Sequence, residues 1–157
     1  MLKFTKKANL YMSQRSEHEI IKAVVYEFYQ KATVDVLIGY QFRKIQEFDL
    51  AEFKNHPLRP PIEAFAHHLP IINEFWIRQL SGESIDSAIQ LNVINKHLYL
   101  NLKTGELNRF KVLFEDTIKQ YQSDLEMFGL YEKWFSKLDH FATVFSRSKL
   151  FKKKSEN

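Results

Sequence analysis

Four stretches of this chain repeat apolar residues at the three- and four-residue spacing of an α-helix, and this period limits the fold more than any other feature. With only four glycines and four prolines in 157 residues, the chain lacks the turns that a many-stranded β fold needs. We therefore predict an all-α fold in a single domain. The residues predicted to face the core are Ile20, Ile21, Val24, Val25, Phe28, Tyr29 and Ala32; then Ile62, Phe65, Leu69, Ile72, Phe75, Trp76 and Leu80; then Leu107, Phe110, Phe114, Thr117, Ile118 and Tyr121; and finally Met127, Tyr131, Trp134, Leu138, Phe141 and Phe145.

Capping residues predict where three of these helices begin. Ser16, followed three residues later by Glu19, has the form of a capping box. Thr104 can cap a third helix that begins at residue 105 and ends at about Tyr121. The fourth helix is predicted to begin near Asp124 and to carry the cleanest apolar stripe of the chain.

Prolines set the boundaries of the second helix. Pro60 or Pro61 suits its first turn, where the missing N–H has no partner within the helix. Pro70 predicts a kink or a split, because proline removes a hydrogen bond from the interior of a helix. The helix is expected to end near Leu80, before the turn that contains Gly82.

Composition and charge limit the kinds of site and the cellular location that this chain can have. The chain has no cysteine, which excludes disulfides, thiolate metal sites and cysteine nucleophiles and is typical of the reducing cytoplasm, where we expect the protein. No stretch reaches the ~20 apolar residues of a membrane span. The net charge of +4 lies largely at the ends, so we divide the chain into an extension (1–15), a domain (16–148) and a basic tail (149–157). The tail suits solvent or an acidic partner, and no DNA-specific binding is expected.

His97 is the candidate metal ligand. It lies in a short, half-apolar segment, where a lone histidine is more often a structural residue than a ligand. The chain has 14 phenylalanines and 7 tyrosines, enough rings to line a flat apolar ligand. The residue type and composition therefore leave both interpretations open.

Three blocks of residues follow one another in a specific order and spacing. They are Phe28-Tyr29-Gln30-Lys31-Ala32-Thr33-Val34-Asp35 with Gly39 and Phe42; His68 with Asn73, Phe75-Trp76 and Leu80-Ser81-Gly82-Glu83; and Lys96-His97-Leu98-Tyr99-Leu100 with Phe110-Lys111-Val112-Leu113-Phe114. In order and spacing this set resembles the truncated haemoglobins, most closely their third group. The resemblance covers roughly residues 19–121 and implies a globin-like fold, a helix-over-helix sandwich around a haem pocket.

The resemblance also implies a role for each matched residue. His97 becomes the proximal ligand of the iron of haem b, and Phe42 the ring that packs on the porphyrin. Tyr29 and His68 become the polar residues over the distal face. Phe110 stands where the family usually has a tryptophan, so the indole N–H donor is absent. Phe65 and Ile72 complete the set of residues expected to contact the haem.

The function implied by the resemblance is reversible binding of oxygen, nitric oxide or carbon monoxide, for detoxification, sensing or redox chemistry. Nitric oxide dioxygenation or peroxidase turnover would be side activities and would require a reductase or reductant partner. We expect a monomer or a weak dimer. Two alternatives stay open: a globin-like sensor or regulatory domain without haem, and a helical module that binds an acidic partner through the basic tail.

Overall fold

The computed structural model of the protein describes residues 15–44, 62, 68–82, 97 and 101–147. Within these ranges the chain forms five α-helices, one 3-10 helix and no strand, which confirms the all-α prediction. The helices are α1 (Glu17–Ala32), α2 (Leu69–Leu80), α3 (Thr104–Gln120), α4 (Gln122–Met127) and α5 (Tyr131–Arg147), and the 3-10 helix spans Gly39–Lys44. None of the helices in these ranges is both long and apolar enough to cross a membrane.

Helix α1 begins as its sequence predicts. The Ser16 hydroxyl accepts a hydrogen bond from the Glu19 amide at 3.1 Å, and the Glu19 carboxylate accepts one from the Ser16 amide at 3.3 Å. This reciprocal capping box satisfies two amides that have no partner within the helix. All seven residues predicted to face the core are buried.

Helix α2 shows why Pro70 is tolerated. The helix begins at Leu69, so the proline lies in its first turn, where no hydrogen bond is lost. The single longer helix beginning at residue 60 or 61 would pass through residues that lie outside the described ranges, except for the helical and buried Ile62. The predicted end is confirmed, since Ser81 follows the last turn and Gly82 takes a φ of +87°, which glycine adopts without strain.

Two predictions about the C-terminal half are wrong. Thr104 is not a cap but the first residue of α3, and Lys103 before it makes no side-chain capping bond. The predicted fourth helix is two helices, because Gly129 has a φ of +68° and turns the chain between α4 and α5. Met127 consequently lies on the surface with 52% of its area exposed. Leu125 and Leu130, on either side of it, are buried instead.

Four helices pack around one core. Helix α1 contacts α2 and α3, and α5 contacts the same two helices. Four rings from α2, α3 and α5 meet there with centroids 5.4–6.0 Å apart, and we call them the aromatic core: Trp76, Phe114, Trp134 and Phe141. Burial of such large rings is the main stabilising term available to a chain of this length.

Candidate functional site

Tyr29 lies in the last turn of α1 and is the buried polar side chain around which the candidate site is built. Only 7% of its area is exposed. Its ring meets Phe28 edge-on at a centroid distance of 4.7 Å and Phe42 edge-on at 5.9 Å. Burial raises the pKa of the Tyr29 phenol well above its ordinary value. The hydroxyl therefore keeps its proton at neutral pH and can act as a hydrogen-bond donor.

A tight turn after α1 brings Phe42 back to Tyr29. Thr33 ends the helix and donates its hydroxyl hydrogen to the Tyr29 carbonyl at 2.8 Å. The Asp35 carboxylate then accepts hydrogen bonds from the amides of Leu37 and Ile38, at 3.0 and 3.2 Å. A side chain that satisfies the amides two and three residues ahead reverses the chain within a few residues. The 3-10 helix that follows carries Phe42.

Helix α3 holds this turn through two polar contacts. Glu106 is buried and accepts hydrogen bonds from the Tyr40 hydroxyl at 2.7 Å and from Nε2 of Gln41 at 2.5 Å. On the same helix, Arg109 donates to Oδ1 of Asp35 through Nε at 3.1 Å and through its terminal nitrogen at 2.8 Å. We call these five residues, Asp35, Tyr40, Gln41, Glu106 and Arg109, the corner cluster.

Two side chains of the corner cluster, Asp35 and Tyr40, have shifted pKa values. Burial by itself would raise the pKa of Asp35, but the Arg109 guanidinium and the two backbone amides favour the carboxylate and hold the pKa below its ordinary value. Burial, together with the carboxylate of Glu106, raises the pKa of the Tyr40 phenol to about 12. At neutral pH Tyr40 is therefore the donor and Glu106 the acceptor.

Phe110 closes the ring cluster from the side of α3. It lies one turn after Glu106 and meets Phe28 edge-on at a centroid distance of 4.8 Å. Phe28 in turn contacts Phe114 of the aromatic core at 4.3 Å. Three of the predicted site residues are thus linked by ring contacts, since Tyr29 and Phe110 contact Phe28 and Phe42 contacts Tyr29.

Two further predicted residues lie on or beside α2. His68 immediately precedes the helix and is half-buried, with a helical backbone conformation. Ile72, one turn into the helix, is half-buried against the core. Phe65, the remaining predicted contact on this segment, lies outside the described residues.

His97 is the one described residue between Gly82 and Asn101. It has a helical conformation, is half-buried and meets the ring of Phe145 edge-on at a centroid distance of 5.4 Å. Phe145 belongs to the last turn of α5 and packs against the core. The His97 imidazole therefore lies beside the last turn of α5.

A haem needs fewer side-chain ligands than a bare metal ion does. A protein site for a bare ion usually needs three or more side-chain ligands, and the described part of the chain contains no such group of His, Cys, Asp or Glu residues. A porphyrin supplies four nitrogen ligands of its own, so one imidazole is sufficient to complete a five-coordinate iron. A half-buried imidazole next to an aromatic ring is compatible with that role.

The corner cluster was not predicted from the sequence, and none of its five residues was given a role in the predicted site. The available signal was the position of Glu106 in the first turn of α3, where the helix dipole favours a carboxylate. That position does not reveal that the carboxylate is buried or which residues it binds.

No family model, no curated protein and no solved structure matches this chain.

Proposed function

We propose that this protein binds haem b in the manner of the truncated haemoglobins and takes up diatomic ligands such as oxygen, nitric oxide or carbon monoxide. The observation that carries the proposal is the burial of the Tyr29 phenol between Phe28 and Phe42, at the end of α1 where the resemblance expects the distal polar residue. A buried, protonated phenol flanked by two aromatic rings is suited to donate a hydrogen bond to a small polar ligand.

The packing of the helices supports the same proposal. Helix α1 pairs with α2, α3 pairs with α5, and each pair contacts the other. Two helix pairs laid against each other are what a helix-over-helix sandwich requires.

In the proposed site each residue has a separate task. His97 would hold the iron, and Phe42 and Phe110 would keep water from the apolar faces of the haem. Haem, when bound, would supply an iron that takes up a diatomic ligand. The Tyr29 hydroxyl would donate a hydrogen bond to that ligand, a contribution of about 1–1.5 kcal/mol, or roughly tenfold in the rate of release. Phe110 adds no such donor, which leaves the task to Tyr29 and His68.

The proposal is tested by adding haem to the purified full-length chain. We expect stoichiometric uptake, a strong Soret band, and a shift of that band when carbon monoxide is added to the reduced protein. His97→Ala should remove the five-coordinate ferrous spectrum, whereas His18→Ala, at an exposed position near the start of α1, should leave it unchanged. A wild-type protein that takes up no stoichiometric haem would contradict the proposal and favour the haem-free sensor.

The distal residues are tested on the reconstituted protein. Tyr29→Phe should release the diatomic ligand about tenfold faster, because one net hydrogen bond is lost. An unchanged rate would remove Tyr29 from the proposed site. If His68 itself binds the iron in the resting state, His68→Ala should convert a low-spin spectrum to a high-spin one.

A further inference from the structure

The position of Phe42 depends on a contact that the resemblance does not supply. Phe42 meets Tyr29 edge-on at 5.9 Å, yet it lies on a six-residue 3-10 helix, a short element with poor intrinsic stability. Something outside the 3-10 helix must therefore fix where it lies relative to α1. Glu106 of α3 reaches the 3-10 helix from another element and makes two hydrogen bonds to it.

Glu106 binds the two residues directly before Phe42. One carboxylate oxygen accepts from the Tyr40 hydroxyl and the other from Nε2 of Gln41, which also donates to the Tyr40 oxygen at 3.1 Å. Both oxygens are engaged and only 8% of the residue is exposed. A closed triangle of buried hydrogen bonds fixes a short segment more tightly than apolar contact alone, because each bond is directional.

The position of Glu106 on α3 stabilises its buried carboxylate. Its two partners are neutral, but Glu106 is in the first turn of α3, where the unpaired amides give the helix end a partial positive charge. One turn further along the same face, Phe110 contacts Phe28 at 4.8 Å. Helix α3 thus fixes the 3-10 helix with Glu106 and packs against the neighbour of Tyr29 with Phe110.

We propose that Glu106 is a positioning residue of the ligand pocket: through Tyr40 and Gln41 it sets the placement of Phe42 against Tyr29, and thereby the release rate of the bound ligand. The part that concerns the ligand rests on the proposed haem function. The part that concerns the two rings does not, and it can be measured on the chain without haem.

The first experiment uses the full-length chain without haem. We expect the nuclear Overhauser contact between the rings of Tyr29 and Phe42 to be lost in Glu106→Ala, with amide exchange in residues 38–41 about tenfold faster, as expected for the loss of one net hydrogen bond. Glu106→Gln keeps one carbonyl oxygen and should restore part of the contact. Tyr40→Phe gives a second, milder break should Glu106→Ala fail to fold.

The control is Ile118→Val, a conservative change at a fully buried position of α3. Twelve residues separate it from Glu106, about 18 Å along the helix, so it lowers stability without touching the corner cluster. It should leave the ring contact and the exchange of residues 38–41 unchanged. If Glu106→Gln and Tyr40→Phe both behave like this control, the proposal is overturned.

The second experiment measures carbon monoxide release from the reconstituted, reduced protein. Glu106→Ala should change the rate by about tenfold and Tyr40→Phe by less, and the double variant should do no more than Glu106→Ala, because both break the same contact. Ile118→Val should release the ligand as wild type does. Separated rings with an unchanged release rate in every variant would overturn the proposal, whereas a wild type without haem would contradict the proposed function and leave the ring experiment to decide.

Discussion

The aromatic core and the corner cluster join the same helix, α3, to the rest of the molecule by different means. In the aromatic core, Phe114 meets Trp76 and Trp134 through ring contacts of 5.4 and 5.7 Å that tolerate a range of angles. In the corner cluster, α3 is held by hydrogen bonds and an ion pair, each of which needs one particular partner atom. Buried apolar area therefore supplies the stability of this fold, whereas directional hydrogen bonds determine where the 3-10 helix lies.

The largest effect is expected in the aromatic core. Trp134 is fully buried, and Trp134→Ala should lower the free energy of unfolding by about 3–5 kcal/mol through lost burial and the cavity left behind. Its Nε1 has no hydrogen-bond partner among the described residues, so Trp134→Phe should lose only volume and cost less. Chemical denaturation measures both values.

An exposed position on α3 provides the control for the aromatic core. Val112 has 47% of its area exposed, and Val112→Ala should change the free energy of unfolding by less than about 0.5 kcal/mol. A Trp134→Ala cost as small as that of Val112→Ala would mean that the rings do not carry the stability of the fold.

This division also explains how much of the fold could be predicted from the sequence. The buried face of α1 follows from apolar periodicity and from the Ser16 capping box, because both are local properties of the chain. The break between α4 and α5 could not be seen in the same way, since the apolar period continues through it. Gly129 is the local signal, but a glycine inside a helical pattern is compatible with a helix as well as with a turn.

The candidate site likewise contains residues that the sequence singles out and residues that it does not. Tyr29 and Phe110 each contact Phe28, and Phe42 contacts Tyr29, but a role for these rings at a haem stays a prediction. The corner cluster pairs residues that are 66 and 74 positions apart in the sequence. Periodicity shows which face of a helix is buried, but it carries no information about which distant donor a carboxylate meets.

A smaller effect, and one that depends on pH, is expected in the corner cluster. Asp35→Asn removes the charge that Arg109 binds and should cost about 1–3 kcal/mol at neutral pH. Because the pKa of Asp35 in the folded protein is lowered from its ordinary value of 3.8, its contribution is fully present above that pH. It is lost as the pH falls through the lowered value.

The free energy of unfolding is measured for wild type and Asp35→Asn between pH 7 and pH 2. The other carboxylates titrate alike in the two proteins, so the difference between them isolates the contribution of Asp35. The difference between wild type and Asp35→Asn should stay constant from neutral pH to about pH 5 and should shrink below the ordinary aspartate pKa. A difference that is independent of pH throughout would show that the carboxylate acts through shape rather than charge.

The smallest effect tests whether distance or burial makes the corner cluster matter. On α2, Arg78 donates to Glu74 at 2.7 Å, the distance found between Tyr40 and Glu106, but the two side chains are 56% and 64% exposed. Water screens such a pair, and a pair one turn apart on a helix contributes about 0.3–0.5 kcal/mol. Arg78→Ala should therefore lower the free energy of unfolding by no more than this, measured by denaturation at low salt, and the loss should fall further in 1 M salt. A cost equal to that of Asp35→Asn would show that short polar contacts stabilise this protein wherever they occur. Burial would then not explain why the contacts of the corner cluster contribute more than an exposed ion pair.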